Sequence, residues 1–269
     1  MRMQCGWPEV LLALLWVSSC ASAGPEGEHP IRLTNSVGME LILVKPGKLT
    51  VPDRRTGKTR TLVVEGPLYL GKLEVTQQQW QRVMGRNPSR FLGDRHPVEM
   101  VTWLDCVEFC RKLSELEGRK YRLPTAAEWE YTCRAGSKGK FCFGDDEGKL
   151  GEYAWYGANS GEKFDERGRA VNGKTRPAGQ KLPNGWGFLD MHGNVAEFCA
   201  DDRKPRKATL ARQKTRGVTK IIPSHPYKGG TFYQSSFCCQ ASFEDLYPPD
   251  WKSFIIGLRV ALDASPPAP

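Results

Sequence analysis

Residues 185–201 read GWGFLDMHGNVAEFCAD. They gather glycine-framed aromatics, a tight polar turn at His192-Gly193-Asn194, the carboxylates Asp190 and Glu197, and Cys199. Glycine reaches backbone angles closed to other residues, so such a turn can aim its carbonyls inward. Asp190 and Glu197 flank the turn and can add side-chain oxygens to the same point. A hard cation such as Ca²⁺ takes roughly 6–8 oxygens of these kinds. The same spacing also describes a polar hairpin turn with two solvated acids. Spacing alone leaves both readings open.

Upstream of this stretch, three helices share one start signal. Thr76-Gln-Gln-Gln79, Thr102-Trp-Leu-Asp105 and Thr125-Ala-Ala-Glu128 each set a capping hydroxyl three residues before an acceptor side chain. The hydroxyl satisfies an orphan backbone N–H and the acceptor reaches back to the cap. The first helix should bury Trp80, Val83 and Met84 and stop at Gly85. The second should bury a stripe of Trp103, Val107, Cys110 and Leu113 and stop at Gly118. The third should run over residues 126–134, pack through Trp129 and stop at Gly136. Residues 32–44 read as a polar turn leading into a strand, and 46–60 as a basic loop. Residues 61–64, 68–73, 229–233 and 254–262 read as further strands. Long packed loops should fill residues 137–185.

The chain has 269 residues, a net charge of +9 and 39% hydrophobic residues, which suits a globular protein and a preference for anionic partners. At the start, Arg2 precedes the apolar run VLLALLWV and an A-x-A site before Gly24. That pattern is a secretory signal peptide over residues 1–23, its apolar run too short to span a bilayer. Val17-Ser18-Ser19-Cys20 also resembles a lipoprotein processing box, so a membrane contact is expected only through lipidated Cys20. The expected location is therefore secreted or periplasmic. Residues 24–30 form a flexible leader, 31–262 the domain, and 263–269 a Pro-rich tail. Residues 203–220 carry eight basic residues and no acid. No aromatics interleave with those charges, so a solvated loop is expected and nucleic acid is not.

Seven cysteines follow the signal region: Cys106, Cys110, Cys133, Cys142, Cys199, Cys238 and Cys239. In an oxidising compartment most should pair, with one left over. C-x-x-C is absent and only four histidines are present, which gives zinc little support. The chain also lacks H-E-x-x-H and G-x-S-x-G. His192 reads as a turn residue with a backbone role.

The motifs TNSVGMELILV, KLEVTQQQW, HPVEMVTWLDCVEFCRKL, RLPTAAEWEYTCRAG, GWGFLDMHGNVAEFCAD, KGGTF and IGLRVAL occur in this order. Their succession resembles the formylglycine-generating enzyme (sulfatase-modifying factor) family, in the style of its secreted bacterial paralogues. The resemblance spans residues 31–262. It implies one irregular α+β domain with a C-type-lectin-like core and little regular secondary structure.

Members that are enzymes oxidise a sulfatase cysteine to formylglycine with O₂ and copper held by two thiolates. Cu(I) is soft, and hard oxygen groups do not replace thiolates. The resemblance sets Gln234 where the first thiolate belongs. Cys239 falls at the second position without a gap, or else in a structural C-R-S-A-Y-like stretch; Cys238 and Cys239 are the only candidates if the chain is active. The family's GNVWEW is GNVAEF here, RGGSW is KGGTF, and GFR is GLR. Copper is therefore not expected. The resemblance assigns a structural Ca²⁺ to the side chains of Asp190 and Glu197 with the carbonyls of Gly193 and Val195. It places a second, weaker calcium site at Asn159 and Ser160. It also implies the bridges Cys133–Cys239 and Cys110–Cys199. Three functions follow as expectations: a non-catalytic binding or accessory module, an oxidase with an altered copper site, or a module holding anionic glycan through loop 203–220. The partner would be a protein or an anionic glycan.

Overall fold

Threonines start the three principal helices, as their local chemistry requires. In this computed structural model α1 is Gln77–Met84, α2 Trp103–Glu117 and α3 Ala126–Arg134, each with both capping-box bonds formed, from Thr76, Thr102 and Thr125. Gly85 and Gly118 end the first two in the left-handed conformation, with φ of 76° and 64°. The third ends one residue earlier than expected, at Ala135 with φ 45°, whose N–H still reaches the carbonyl of Tyr131. A short helix α4, Leu150–Tyr153, follows.

The structure describes residues 30–53, 56–161, 163–164, 166, 170–201 and 224–264. The signal peptide over 1–23 with Cys20, the leader up to residue 29, the basic loop 203–220 and the end of the Pro-rich tail lie outside the described residues. Among the described residues no helix is long and apolar enough to cross a membrane.

The strands are β1 Arg32–Thr34, β2 Glu40–Val44, β3 Gly47–Pro52, β4 Thr59–Val64, β5 Leu68–Gly71, β6 Tyr121–Arg122, β7 Lys163–Phe164, β8 Ala170–Val171, β9 Ala196–Phe198, β10 His225–Lys228, β11 Asp245–Tyr247, β12 Ile256–Gly257 and β13 Ala261–Asp263. A five-stranded antiparallel sheet runs β1-β2-β5-β13-β6, so the first and last strands of the domain share one sheet. A second sheet runs β11-β10-β9-β12 and carries the last part of the 185–201 stretch as β9. The ribbon β3-β4 was read as a loop on its first strand. Its residues alternate, with Val51 and Leu62 buried among polar neighbours, and that period is short enough to be masked by the prolines around it. Residues 229–233 do not form the expected strand: Gly229 and Gly230 have φ of 101° and 71°, which ends β10 in a turn.

The core forms between the helices and the two sheets. Trp80 of α1 stacks on Phe109 of α2 at 5.0 Å and 2°, which fixes how α2 rolls. Its buried face is therefore Cys106, Phe109, Cys110 and Leu113, whereas Val107 of the expected stripe stays exposed. Trp103 instead stacks on His225 at 3.6 Å.

One buried carboxylate ties α3 to β4 and β10. Glu130 takes both oxygens to Arg60 Nη2 (2.5 and 2.6 Å), and also accepts from Arg134 Nε (2.9 Å) and Lys228 Nζ (3.1 Å). Burial alone pushes its pKa up, but Lys228, Arg60 and Arg134 together outweigh that and hold it at about 2 against an ordinary 4.5. A carboxyl lowered by folding stabilises the native state above its unfolded pKa and loses that contribution as pH falls through the folded value. A depression of this size corresponds to roughly 3 kcal/mol. Stability measured by urea denaturation should therefore fall between pH 4.5 and 2, and Glu130→Gln should flatten that slope while lowering stability at pH 7.

Candidate functional site

The 185–201 stretch is anchored before it begins. Asn184 donates to the carbonyls of Thr132 (2.8 Å) and Cys133 (3.1 Å), and its Oδ1 accepts from the N–H groups of Trp186 and Phe188. The loop is thereby clamped to the end of α3. At the turn a Cβ on residue 193 would collide with the carbonyl oxygen of Trp155, so only glycine fits. Asp190 and Asn194 take φ of 56° and 62°, which short polar side chains tolerate. Asn194 donates its N–H to Trp155 O (2.7 Å), accepts from Arg176 N–H (2.9 Å), and donates Nδ2 to Glu74 (2.8 Å).

Four charged groups meet beneath the turn, all buried. Glu197 accepts from Arg259 Nε and Nη2 (2.8–3.1 Å) and from Trp129 Nε1 (2.5 Å). Glu74 accepts from Val195 N–H (2.9 Å) as well as from Asn194. Asp190 accepts from Gly179 N–H (2.6 Å) with Oδ2, while its buried Oδ1 has no partner. Burial pushes the Asp190 carboxyl up to about 6 and the Glu74 carboxyl well above its usual range, with the neighbouring carboxylates adding to both. Sequence reading found Asp190 and Glu197 but missed Glu74, Trp129 and Arg259 as their partners. Glu74 is a charge set between Leu73 and Val75, and Arg259 the lone charge in the apolar run IIGLRVAL, which was the available signal.

These contacts bear on the expected metals. At the main calcium position Asp190 has an oxygen to offer, and three carboxyl groups face one guanidinium, so a hard dication would find an oxygen acceptor there. The Glu197 oxygens are already filled by Arg259 and Trp129. The second position does not fit. Asn159 accepts from Tyr156 N–H and donates to Ala154 O, the Ser160 carbonyl accepts from Arg176 Nη2 (2.9 Å), and the Ser160 hydroxyl donates to Phe232 O. A guanidinium already stands at that carbonyl. Among the described residues no group of three or more His, Cys, Asp or Glu is arranged to hold a metal.

The copper position does not fit either. Gln234 holds the loop by its backbone, accepting from Gly157 N–H at 2.7 Å, and its Oε1 is buried without a partner. Cys239 is wholly buried against Gly230, where an added Cβ would lie 2.7 Å from its Sγ. Burial pushes the thiols of Cys238 and Cys239 up, so neither is held as a thiolate. His192 is no base: its two ring nitrogens meet Cys239 O (2.8 Å) and Cys142 N–H (3.1 Å), and burial lowers its pKa to about 4.

All seven cysteines are free thiols, so the bridges expected at Cys133–Cys239 and Cys110–Cys199 are not formed. Cys133 and Cys239 both neighbour the His192 ring, the first through its Sγ and the second through its carbonyl, while their side chains pack with different neighbours. Cys133 packs with Trp129 and lies 3.7 Å from a His192 ring nitrogen, whereas Cys239 packs with Phe141 and Leu150. Cys110 belongs to the cluster of Trp80 and Phe109, and Cys199 to that of Trp129.

The sulfatase-modifying factor enzyme 1-like domain matches residues 31–264. The chain belongs to this family. It is 34% identical to the chaperone protein LppX of Paenibacillus barcinonensis over 71% of this chain and 78% of that one. It is 37% identical to the formylglycine-generating enzyme of Mycobacterium tuberculosis over 65% of this chain and 57% of that one. The chain thus spans between half and two thirds of the length of the mouse and mycobacterial enzymes. Among solved structures, Treponema denticola variable protein 1 superposes with a TM-score of 0.72 at 25% identity, covering 87% of this chain and 100% of that one. PvdO from Pseudomonas aeruginosa, at 24% identity and a TM-score of 0.69 over 88% of this chain and 99% of that one, shares the fold.

The thiols give a direct check. Alkylation of the native protein should label half-buried Cys142 and Cys238 first, and slowly, since burial pushes Cys142 to about 12. The other five should react only on unfolding. Denaturation without reductant should then release all seven, and a count lower by two for each bridge would overturn the free-thiol assignment.

Proposed function

We propose that this chain is a non-catalytic binding or accessory module of the sulfatase-modifying factor family, exported and stabilised by calcium at the 185–201 turn. The observation that carries the reading is the copper position. An amide stands where a thiolate belongs, and the one neighbouring thiol of the correct spacing is buried against Gly230. Losing a soft ligand from a two-thiolate site removes most of its affinity for Cu(I). Cys238 and Cys239 both belong to the tight turn Ser236–Cys239, where adjacent side chains diverge. A chaperone among the relatives accords with a family member that works without oxidase chemistry. Purified protein loaded with Cu(I) and given a sulfatase-derived cysteine peptide under O₂ should yield no aldehyde. Turnover that disappears in Cys238→Ser or Cys239→Ser would sink the reading.

Calcium would serve the fold. Asp190 would offer its unpartnered oxygen, and Gly193 and Val195 their carbonyls. Glu197 would join only by sharing oxygens now held by Arg259 and Trp129. Chelation should lower the melting temperature, and Asp190→Asn should abolish that dependence; Asp190 is the sharper probe because truncating Glu197 would also strand Arg259. Melting unchanged by thorough chelation would remove calcium from the proposal.

A further inference from the structure

The cluster around Glu130 carries more positive charge than it needs. Buried Arg134 and Lys228 share the Glu130 carboxylate with Arg60, whose side chain is 31% exposed, so the interior holds one positive charge more than its carboxylate balances. Arg134 is 2% exposed, so its charge is held in place and poorly solvated. It gives Nε to Glu130 and Nη1 to Gly139 O (2.7 Å); Nη2 has no hydrogen-bond partner among the described residues. Arg134 also lines an open cleft of about 410 Å³, together with Lys138, Lys140, Ser242 and Asp145. Asp145 is the one carboxylate of that lining, and its Oδ1 already accepts from Lys140 N–H (2.8 Å). The ammonium groups of Lys138 and Lys140 have no carboxylate partner among the described residues. The cleft shares no residue with the 185–201 turn or the copper position.

A buried guanidinium with a donor to spare, flanked by two ammonium groups and a hydroxyl, matches the needs of a tetrahedral oxyanion. We propose that this cleft binds a sulfate or phosphate group, with Arg134 at its base, Lys138 and Lys140 at its mouth and Ser242 as a neutral donor. The surplus charge of the Glu130 cluster supplies the attraction, and the anion would relieve it. This inference concerns ligand class and stands apart from the oxidase and calcium questions, so its failure would leave them untouched. It also locates anion binding away from the basic residues of 203–220, which sequence reading had singled out.

The test is titration calorimetry of the full mature chain with sodium sulfate, inorganic phosphate and a heparin hexasaccharide, each against chloride at matched ionic strength. Lys138→Ala/Lys140→Ala truncates two outward-facing side chains and should keep the wild-type melting temperature. It should weaken binding of these anions at least tenfold, whichever binds best. Heparin binding far more tightly than sulfate would identify a sulfated glycan as the source of the group; equal affinity would identify the free ion. Arg134→Lys should weaken binding too, and by itself is ambiguous if it fails to fold, which is why the double variant carries the test. The proposal is overturned if no probe binds above chloride, or if the double variant binds unchanged. It is equally overturned if Arg203→Ala/Lys204→Ala/Arg206→Ala/Lys207→Ala abolishes binding while the double variant keeps it.

Discussion

The pairing of Arg259 with Glu197 is the constraint on which the rest of this structure depends. Both are wholly buried, and a charge stripped of water costs several kcal/mol unless it is fully matched. Arg259 meets that demand with every nitrogen: Nε and Nη2 to Glu197, Nη1 to Gly71 O, and Nη2 again to Leu189 O. Those partners belong to β9, to the end of β5 and to the loop before the turn. One guanidinium therefore joins the two sheets to the 185–201 stretch. Trp129 adds α3 to the same point through Glu197. Removing either member of the pair would strand the other, an effect of about 3–5 kcal/mol, and would release four elements at once.

That junction explains why the turn beneath it is so tightly specified. Glu74 is held by Val195 N–H and Asn194 Nδ2, and Asn194 is held in turn by Trp155 and Arg176. Each contact satisfies a backbone or amide group that β-structure cannot reach, since the chain between β8 and β9 contains no regular element. Irregular backbone buried at this depth survives only when its polar groups are paired one by one. Asp190 Oδ1, Trp155 Nε1 and Arg176 Nε are the exceptions, three buried polar atoms left without a partner around the turn.

What sequence could show follows from the range of the forces involved. The helix starts were legible because a capping box is settled within four residues, and Thr76, Thr102 and Thr125 each carry it openly. The rotation of α2 was not, because Trp80 decides it from another helix. The ribbon β3-β4 was missed because its exposed positions are charged and threonine-rich, so its three buried residues, Val51, Leu62 and Val64, leave a faint period. Asp190 and Glu197 could be named from the 185–201 stretch alone. Their partners could not, since Glu74 lies over a hundred residues earlier and Arg259 sixty-two residues after Glu197. The cysteines were the least legible, because pairing depends on which core cluster each thiol enters.

The copper position and the scaffold are energetically separate, and that separation lets this family keep one fold while changing its chemistry. Residue 234 contributes to the fold through its backbone: the carbonyl accepts from Gly157 and the N–H reaches Thr231 O. Neither bond depends on the side chain, so the backbone path there does not require glutamine. Cys239, by contrast, is fixed by packing against Gly230 and Phe141, and a thiol so placed fills space whether or not it binds metal. The ion pairs at Glu197 and Glu130 involve no cysteine. The side chain at residue 234 can therefore change without touching the ion pairs that hold the sheets together.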